Sequence, residues 1–129
     1  MTPMSEHDSA ALVASYWRLM DATDFAGAAE LLADEYTCDW PQSHERIRGR
    51  ENFVAVNTHY PGRWHIALRR LVASGDRAAT EVVMTSGDQI LTAVSFFEVR
   101  DEKIMLETDY WPEPYDAPAW RAAWVERYS

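Results

Sequence analysis

Three short turn signals in the second half of the chain constrain its fold more than any other feature. They fall at Ser74-Gly75-Asp76, Ser86-Gly87-Asp88 and Arg100-Asp101-Glu102-Lys103, and they divide a stretch rich in apolar and β-branched residues into four pieces of strand length. The pattern predicts a four-stranded antiparallel meander within residues 65–111.

The segment from Leu91 to Phe97 is apolar on both alternations of a strand. It reads Leu-Thr-Ala-Val-Ser-Phe-Phe and so offers apolar side chains to each face of the sheet. We therefore expect both faces to be covered. Helices packed on one face and a partner subunit or a ligand cavity on the other would cover them.

Helical and short-strand patterns alternate in the first half of the chain. Apolar residues recur at three- and four-residue spacing over residues 9–22, a second helix begins at the capping residue Asp24, and a third is predicted over residues 50–60. Between the last two helices, residues 36–41 form a β-favouring segment ended by proline, and residues 42–48 turn and return as a second short strand.

A last helix is predicted over residues 117–129, after a bend at Pro112-Glu113-Pro114. Its aromatic residues Trp120, Trp124 and Tyr128 stand at i, i+4 and i+8, which places them on one helical stripe.

Together these elements predict an α+β fold with the helices segregated to one face of an antiparallel sheet. At 129 residues the chain is a little under one ordinary domain, so we expect a single domain over residues 1–129. Residues 1–8 carry no such pattern and are expected to be flexible.

The charge balance disfavours polyanionic partners. Twelve basic residues stand against 21 acidic ones, for a formal net charge of −9 and a pI near 4.8. Such a chain has no excess of positive charge to neutralise phosphates, so neither nucleic acid nor an anionic membrane is expected as a partner.

Cysteine usage and short motifs point to a cytoplasmic protein that works without a cofactor. Cys38 is the only cysteine, which excludes an intrachain disulfide and suits a reducing compartment. We find no basic leader and no apolar run of roughly 20 residues that could span a bilayer. The sequence also lacks CxxC, HExxH, GxGxxG and the Walker pattern, so we expect neither a metal nor a cofactor, and any chemistry would be done by side chains alone.

Three stretches together resemble the nuclear-transport-factor-2-like superfamily, and within it the SnoaL-like polyketide cyclase branch. The first stretch runs from Tyr16 through Leu32-Ala33-Asp34-Glu35 to Asp39-Trp40-Pro41, the second is Ile47-Arg48-Gly49-Arg50-Glu51-Asn52-Phe53, and the third is Tyr110-Trp111-Pro112-Glu113-Pro114-Tyr115-Asp116-Ala117-Pro118-Ala119-Trp120.

This resemblance implies a curved sheet wrapped by helices into a cone, the cystatin-like roll, whose open end is an apolar pocket and which is commonly a homodimer. It does not imply one function, because the fold hosts isomerases, cyclases, dehydratases, epoxide hydrolases, transport adaptors and non-catalytic binders.

The ketosteroid isomerases of the superfamily imply one set of site residues. Their tyrosine donor on the first helix falls on Tyr16, their acidic base before the strand-ending proline falls on Trp40, and their later acid falls near Ser95. A tryptophan cannot abstract a proton, and Asp39 beside it should point to the opposite face of the strand. The comparison disfavours steroid-isomerase chemistry, but an apolar pocket is still expected.

The SnoaL-type cyclases imply a different acid, an aspartate on a later part of the sheet. Here the last strand offers Glu107 and Asp109, which share a face, and Asp109 is the leading catalytic candidate because burial among tryptophans would raise its pKa toward neutrality. Alternatively, both carboxylates face solvent or a dimer partner and pair with Arg69 or Arg70.

Two further residues are candidates for proton transfer, each with a plainer interpretation. His65 at the start of the meander could act as a base or as a donor to Asp109, or it is a half-buried structural histidine. Tyr16 could donate into the pocket, or it is a core tyrosine whose hydroxyl has one partner.

The aromatic residues divide into a pocket group and a core group. Trp17, Trp120 and Trp124 are expected in the core or an interface. The predicted ligand-binding set lies near the mouth and floor of the cone; it comprises Trp40, Trp64, Trp111, Glu107, Phe53 and Ser95.

Three functional hypotheses remain open at this point. The first is a cofactor-independent enzyme of isomerase, lyase, cyclase or hydrolase type that transfers protons on a small apolar or aromatic molecule, with Asp109 as base or acid and Tyr16 or His65 as donor. The second is a pocket that binds such a ligand without turnover. The third is a dimeric adaptor.

Overall fold

One six-stranded sheet forms the centre of the computed structural model, which describes residues 6–128. The sheet is curved and unclosed, and its strand order is β2-β1-β6-β5-β4-β3. The strands are β1 (Leu32–Trp40), β2 (Glu45–Arg48), β3 (His65–Ser74), β4 (Arg77–Ser86), β5 (Gln89–Arg100) and β6 (Lys103–Tyr110). The helices are α1 (Glu6–Asp21), α2 (Phe25–Ala29), α3 (Arg50–His59) and a short 3-10 helix (Ala119–Trp124).

The predicted meander is confirmed. Strands β3 to β6 pair consecutively and antiparallel, and their turns lie at the three positions that the turn signals indicate. The α+β plan is likewise confirmed, with one addition: β1 pairs with β6 in parallel. This pairing sets Cys38 opposite Glu107 and so brings the first and last strands of the chain together.

Helix α1 covers the inner face of the sheet. Val13 and Tyr16 are buried, and Trp17 crosses to β4, where its indole Nε1 donates to Thr80 Oγ1 at 3.0 Å. The ring of Tyr16 meets Phe97 of β5 edge-on at 5.7 Å. These contacts explain the three- and four-residue apolar spacing, because one stripe of the helix is pressed against the sheet.

The outer face of the sheet is bare in the single chain. Phe96, Leu106 and Tyr110 all point outward, and Phe96 is 52% exposed although it is flanked by buried residues. The double alternation of β5 therefore has an inner half in the core and an outer half that residues 6–128 cover only in part.

The predicted C-terminal helix over residues 117–129 is wrong. The structure has only the 3-10 helix there, followed by irregular backbone, and Trp124 is 80% exposed. An amphipathic stripe gains stability from the surface on which it packs, and this stripe meets no such surface in the described chain. At the other end, residues 1–5 lie outside the described part of the chain, and residues 6–8 belong to α1 instead of a flexible leader.

No helix among the described residues combines the length and the apolar character needed to cross a membrane.

Candidate functional site

A partly enclosed cavity lies between the inner face of the sheet and helices α1 and α3, with a volume of about 150 Å³. Aromatic and aliphatic side chains form most of its wall, and two carboxyl groups lie among its polar residues. The residues that bear on its chemistry are Tyr16, Tyr36, Cys38, Trp40, Phe53, Tyr60, Trp64, Met84, Glu107, Asp109 and Trp111.

Glu107 and Asp109 enter the cavity together because they alternate with the outward-facing Thr108 along β6. They are only 3% and 6% exposed, respectively. Neither pairs with an arginine: Arg70 instead meets Glu81, with Nε 3.1 Å from Oε1. The structure thus places both carboxyls in the interior and not against solvent.

Two phenols hold Glu107 in place. Tyr16 from α1 and Tyr36 from β1 each donate a hydroxyl hydrogen bond of 2.8 Å to the same oxygen, Glu107 Oε1. Tyr36 is fixed in turn by Phe53 of α3, whose ring it meets edge-on at 5.7 Å.

Three different donors hold Asp109. Ser95 of the neighbouring strand donates its hydroxyl to Oδ1 at 2.6 Å. On the other oxygen, Oδ2, Trp40 donates its indole N–H at 2.9 Å and Cys38 donates its thiol at 3.2 Å. The environments of the two carboxyls therefore differ in the number and in the kind of their partners.

Burial raises the pKa of Glu107 well above its ordinary value. The negative charge of Asp109 acts in the same direction. The hydrogen bonds from Tyr36 and Tyr16 oppose the shift but are smaller. Burial thus favours the neutral, protonated form of Glu107.

The neighbouring hydroxyl and thiol groups stay protonated. Burial is the largest cause that raises the pKa of Tyr16 and of Tyr36, with the charge of Glu107 next. Burial also raises the pKa of the Cys38 thiol. All three groups therefore act as hydrogen-bond donors to the carboxyls.

The cluster is a poor metal site despite its composition. One ligand atom from each of Cys38, Glu107 and Asp109 falls within 4.8 Å of the others. A metal needs deprotonated ligands, and here the thiol holds its proton while five donors already occupy the carboxylate oxygens. This arrangement of protonated donors and carboxyls suits proton transfer better than metal coordination.

Most of the residues that the sequence singles out come together here, and two lie elsewhere. The first of these, Ser95, lies behind Asp109 and holds it without lining the cavity. The other is His65, which points away from the cavity: its side chain is 68% exposed and its Nδ1 lies 3.9 Å from Asp21 Oδ1. The next residue, Ile66, lines the cavity instead, so strand alternation removes His65 from reach of Asp109.

Sequence reasoning missed Tyr36 and Cys38. Both alternate with Trp40 along β1, so the period-2 rule assigns all three to one face. The signal is therefore present in the sequence, because the pocket position predicted for Trp40 extends to Tyr36 and Cys38 by strand alternation. In the structure Trp40 is a donor to the acid on β6.

Residues 13–107 match the sequence profile of the SnoaL-like domain. No functionally curated protein matches the chain. Among solved structures, a candidate ketosteroid isomerase from Kribbella flavida DSM 17836 is 37% identical, with a TM-score of 0.93 over 96% of this chain and 92% of its own.

Two further structures are similar. An NTF-2-like protein of unknown function from Burkholderia xenovorans LB400 is 33% identical, with a TM-score of 0.84 over 98% of this chain and 99% of its own. An LEH-like epoxide hydrolase from M. tuberculosis shares the fold at 22% identity, with a TM-score of 0.69 over 83% of this chain and 84% of its own.

Proposed function

The chain belongs to the SnoaL-like domain family, and from that premise we propose that it is a cofactor-independent enzyme of isomerase type that shifts a proton on a small apolar ligand. The observation that carries this proposal is the pair of unlike carboxyls, Glu107 and Asp109, buried side by side in the wall of an apolar cavity. A buried carboxyl with a raised pKa beside a second carboxyl in a cavity is typical of acid–base sites.

The reaction divides between the two carboxyls. Asp109 takes a proton from a carbon of the ligand, and Glu107 delivers its own proton to another ligand atom, so the ligand loses one proton and gains one. Transfer of the proton from Asp109 to Glu107, whose carboxyl groups have oxygens within 4.8 Å of one another, restores the starting state. Tyr16 and Tyr36 position Glu107, while Ser95 and Trp40 position Asp109.

Similarity to the Kribbella structure, described as a candidate ketosteroid isomerase, supports proton-shift chemistry as the class. The volume of about 150 Å³ favours a ligand smaller than a steroid. An apolar cavity of roughly that size holds a single benzene ring, and drug-sized sites run from about 300 to 1,000 Å³.

A second candidate function is ligand binding without turnover. It is favoured by the five donors that already bond to Glu107 and Asp109, because none of them is free to stabilise charge that develops on a ligand.

Proton exchange separates the two functions without knowledge of the natural substrate. We expect the protein to catalyse deuterium uptake at the α-carbons of cyclohexanone in D₂O, followed by NMR, and Asp109→Asn to lower that rate roughly 100-fold or more. The exposed Glu35→Gln serves as the matched control and should leave the rate unchanged.

Two outcomes would contradict the enzyme proposal. One is an Asp109→Asn rate equal to that of the unaltered protein, and the other is no acceleration over buffer. If the ketone still binds in the second case, as titration calorimetry would reveal, the binding function replaces the catalytic one.

A further inference from the structure

The cavity that the proposed function uses has an unbalanced charge. Among residues 6–128, no lysine, arginine or histidine lines it, while two acids do. The only charge facing a ligand is therefore negative, and it belongs to the Glu107 and Asp109 pair.

Aromatic rings form much of the rest of the wall. The Trp40 and Trp111 rings meet edge-on at 6.3 Å, and the Tyr60 and Trp64 rings meet edge-on at 6.1 Å. Aromatic faces carry negative electrostatic potential and attract cations, most strongly where water is excluded.

The same wall disfavours the other classes of ligand. An anion would place a second negative charge beside the buried pair with no cation to balance it. A neutral hydrogen-bond donor would find three of the four carboxyl oxygens already occupied by the five donors. A cation does not need an unoccupied carboxyl oxygen, because it is attracted by the net negative charge of the pair and by the aromatic rings.

We propose that the ligand of this cavity is a small organic ammonium ion, a protonated or alkylated amine attached to no more than about one ring. The inference rests on the proposed function, since it names the chemical class of ligand for the same cavity. It adds a positive charge to the small apolar molecule that the fold alone implies.

Three ligands that share one ring and differ in charge test the proposal by titration calorimetry. These are cyclohexylammonium, cyclohexanol and cyclohexanecarboxylate, at neutral pH and constant ionic strength. We expect the ammonium to bind at least about tenfold more tightly than the alcohol, and the carboxylate to show no binding.

Variants of the protein identify the source of the preference. Asp109→Asn should reduce the preference for the ammonium over the alcohol to less than about threefold, whereas Glu35→Gln, which removes the same charge at the exposed surface, should leave it unchanged. Trp111→Leu removes an aromatic ring and leaves both carboxyls in place, and we expect it to weaken ammonium binding several-fold while the affinity for cyclohexanol stays within about twofold.

The outcomes separate this inference from the proposed function. If cyclohexanol binds as tightly as cyclohexylammonium, or if Glu35→Gln removes the preference as fully as Asp109→Asn does, the cation proposal fails while the pocket remains a ligand site. If none of the three binds at millimolar concentration, both fail.

Discussion

Glu107 and Asp109 stand two residues apart on one strand, yet their hydrogen-bond partners differ. Glu107 receives two phenol hydroxyls on one oxygen, and Asp109 receives a hydroxyl, an indole and a thiol over two oxygens. Burial and the neighbouring charge of Asp109 raise the pKa of Glu107, which favours the protonated form of this carboxyl.

The raised pKa of Glu107 makes the stability of the protein depend on pH. In the unfolded chain this carboxyl has its ordinary pKa near 4.5 and loses its proton above that pH, while in the folded state the proton is retained. The folded state then binds more protons, so the free energy of unfolding falls as pH rises from about 4.5 toward the folded pKa. The slope from this one group reaches about 1.4 kcal/mol per pH unit.

Glu107→Gln should remove this slope. The amide keeps an oxygen for the two phenols and carries no charge, so it imitates the protonated acid. We expect the variant to be more stable than the unaltered protein near neutral pH and to lose the decline, as measured by urea unfolding from about pH 5 to 8. Glu35→Gln is the control, and an unaltered slope in Glu107→Gln would contradict the assignment of the proton.

The site residues show how far sequence alone reaches at this scale. The shared inward face of Glu107 and Asp109 follows from strand alternation, and so does the cavity position of Trp40. The structure does not place His65 near Asp109 as predicted, because a shift of one residue along a strand exchanges the two faces of the sheet. The position facing the cavity is that of the next residue, Ile66. The identity of the Glu107 partners was out of reach, since Tyr16 and Tyr36 are 91 and 71 residues away in sequence.

At the scale of single elements, α2 depends on one cap. Asp24 Oδ1 accepts from the Gly27 backbone N–H at 2.9 Å, and a Cβ added at Gly27 would lie 2.4 Å from Asp24 Oδ2. A larger residue at this position would therefore displace the side chain that caps the helix.

Replacement of this glycine should reveal the dependence. Gly27→Ala in an ordinary helix would stabilise by about 0.5–1 kcal/mol, but here it displaces the cap, whose loss costs about 1 kcal/mol, so we expect little net change. In an Asp24→Ala background the same substitution should give its full gain. Thermal or urea unfolding of the four proteins of this cycle measures the difference, and equal gains in both backgrounds would contradict it.

Elements with local signals are the ones that the sequence predicts well. The turns of the meander, the cap at Asp24 and the proline after Trp40 each act on neighbouring residues, and each lies where it was expected. Strand β1 begins at Leu32, four residues before the β-favouring segment predicted at residues 36–41, because the exposed Asp34 and Glu35 are residue types that are depleted in strands. The parallel pairing of β1 with β6 had no local signal at all.

At the scale of the whole molecule, the outer sheet face has an apolar centre with charged pairs on either side. Phe96, Leu106 and Tyr110 occupy β5 and β6, the middle of the sheet. The Asp39–Arg46 pair flanks them on the β1 side, and the Arg77–Glu98 pair flanks them on the β4 side. A surface that carries both signs of charge around an apolar centre can face its own copy across a two-fold axis.

We expect this face to join two chains into a homodimer. Sedimentation at micromolar concentration should give twice 14.8 kDa, and Phe96→Lys should give the single-chain mass, because it places a charge in the apolar centre. Ile90→Lys, at an exposed position in the β4–β5 hairpin away from that centre, is the control and should stay dimeric. A single-chain mass for the unaltered protein would contradict the prediction.

The parallel pairing of β1 with β6 also has a consequence for biosynthesis. On the ribosome, β1 emerges early and can pair with β2, but its other edge has no partner until β6 follows the whole meander out of the exit tunnel. Glu107 and Asp109 arrive with that same strand. The nascent protein thus acquires its acids at the moment when its sheet is completed, and a partly made chain has neither the site nor a closed core.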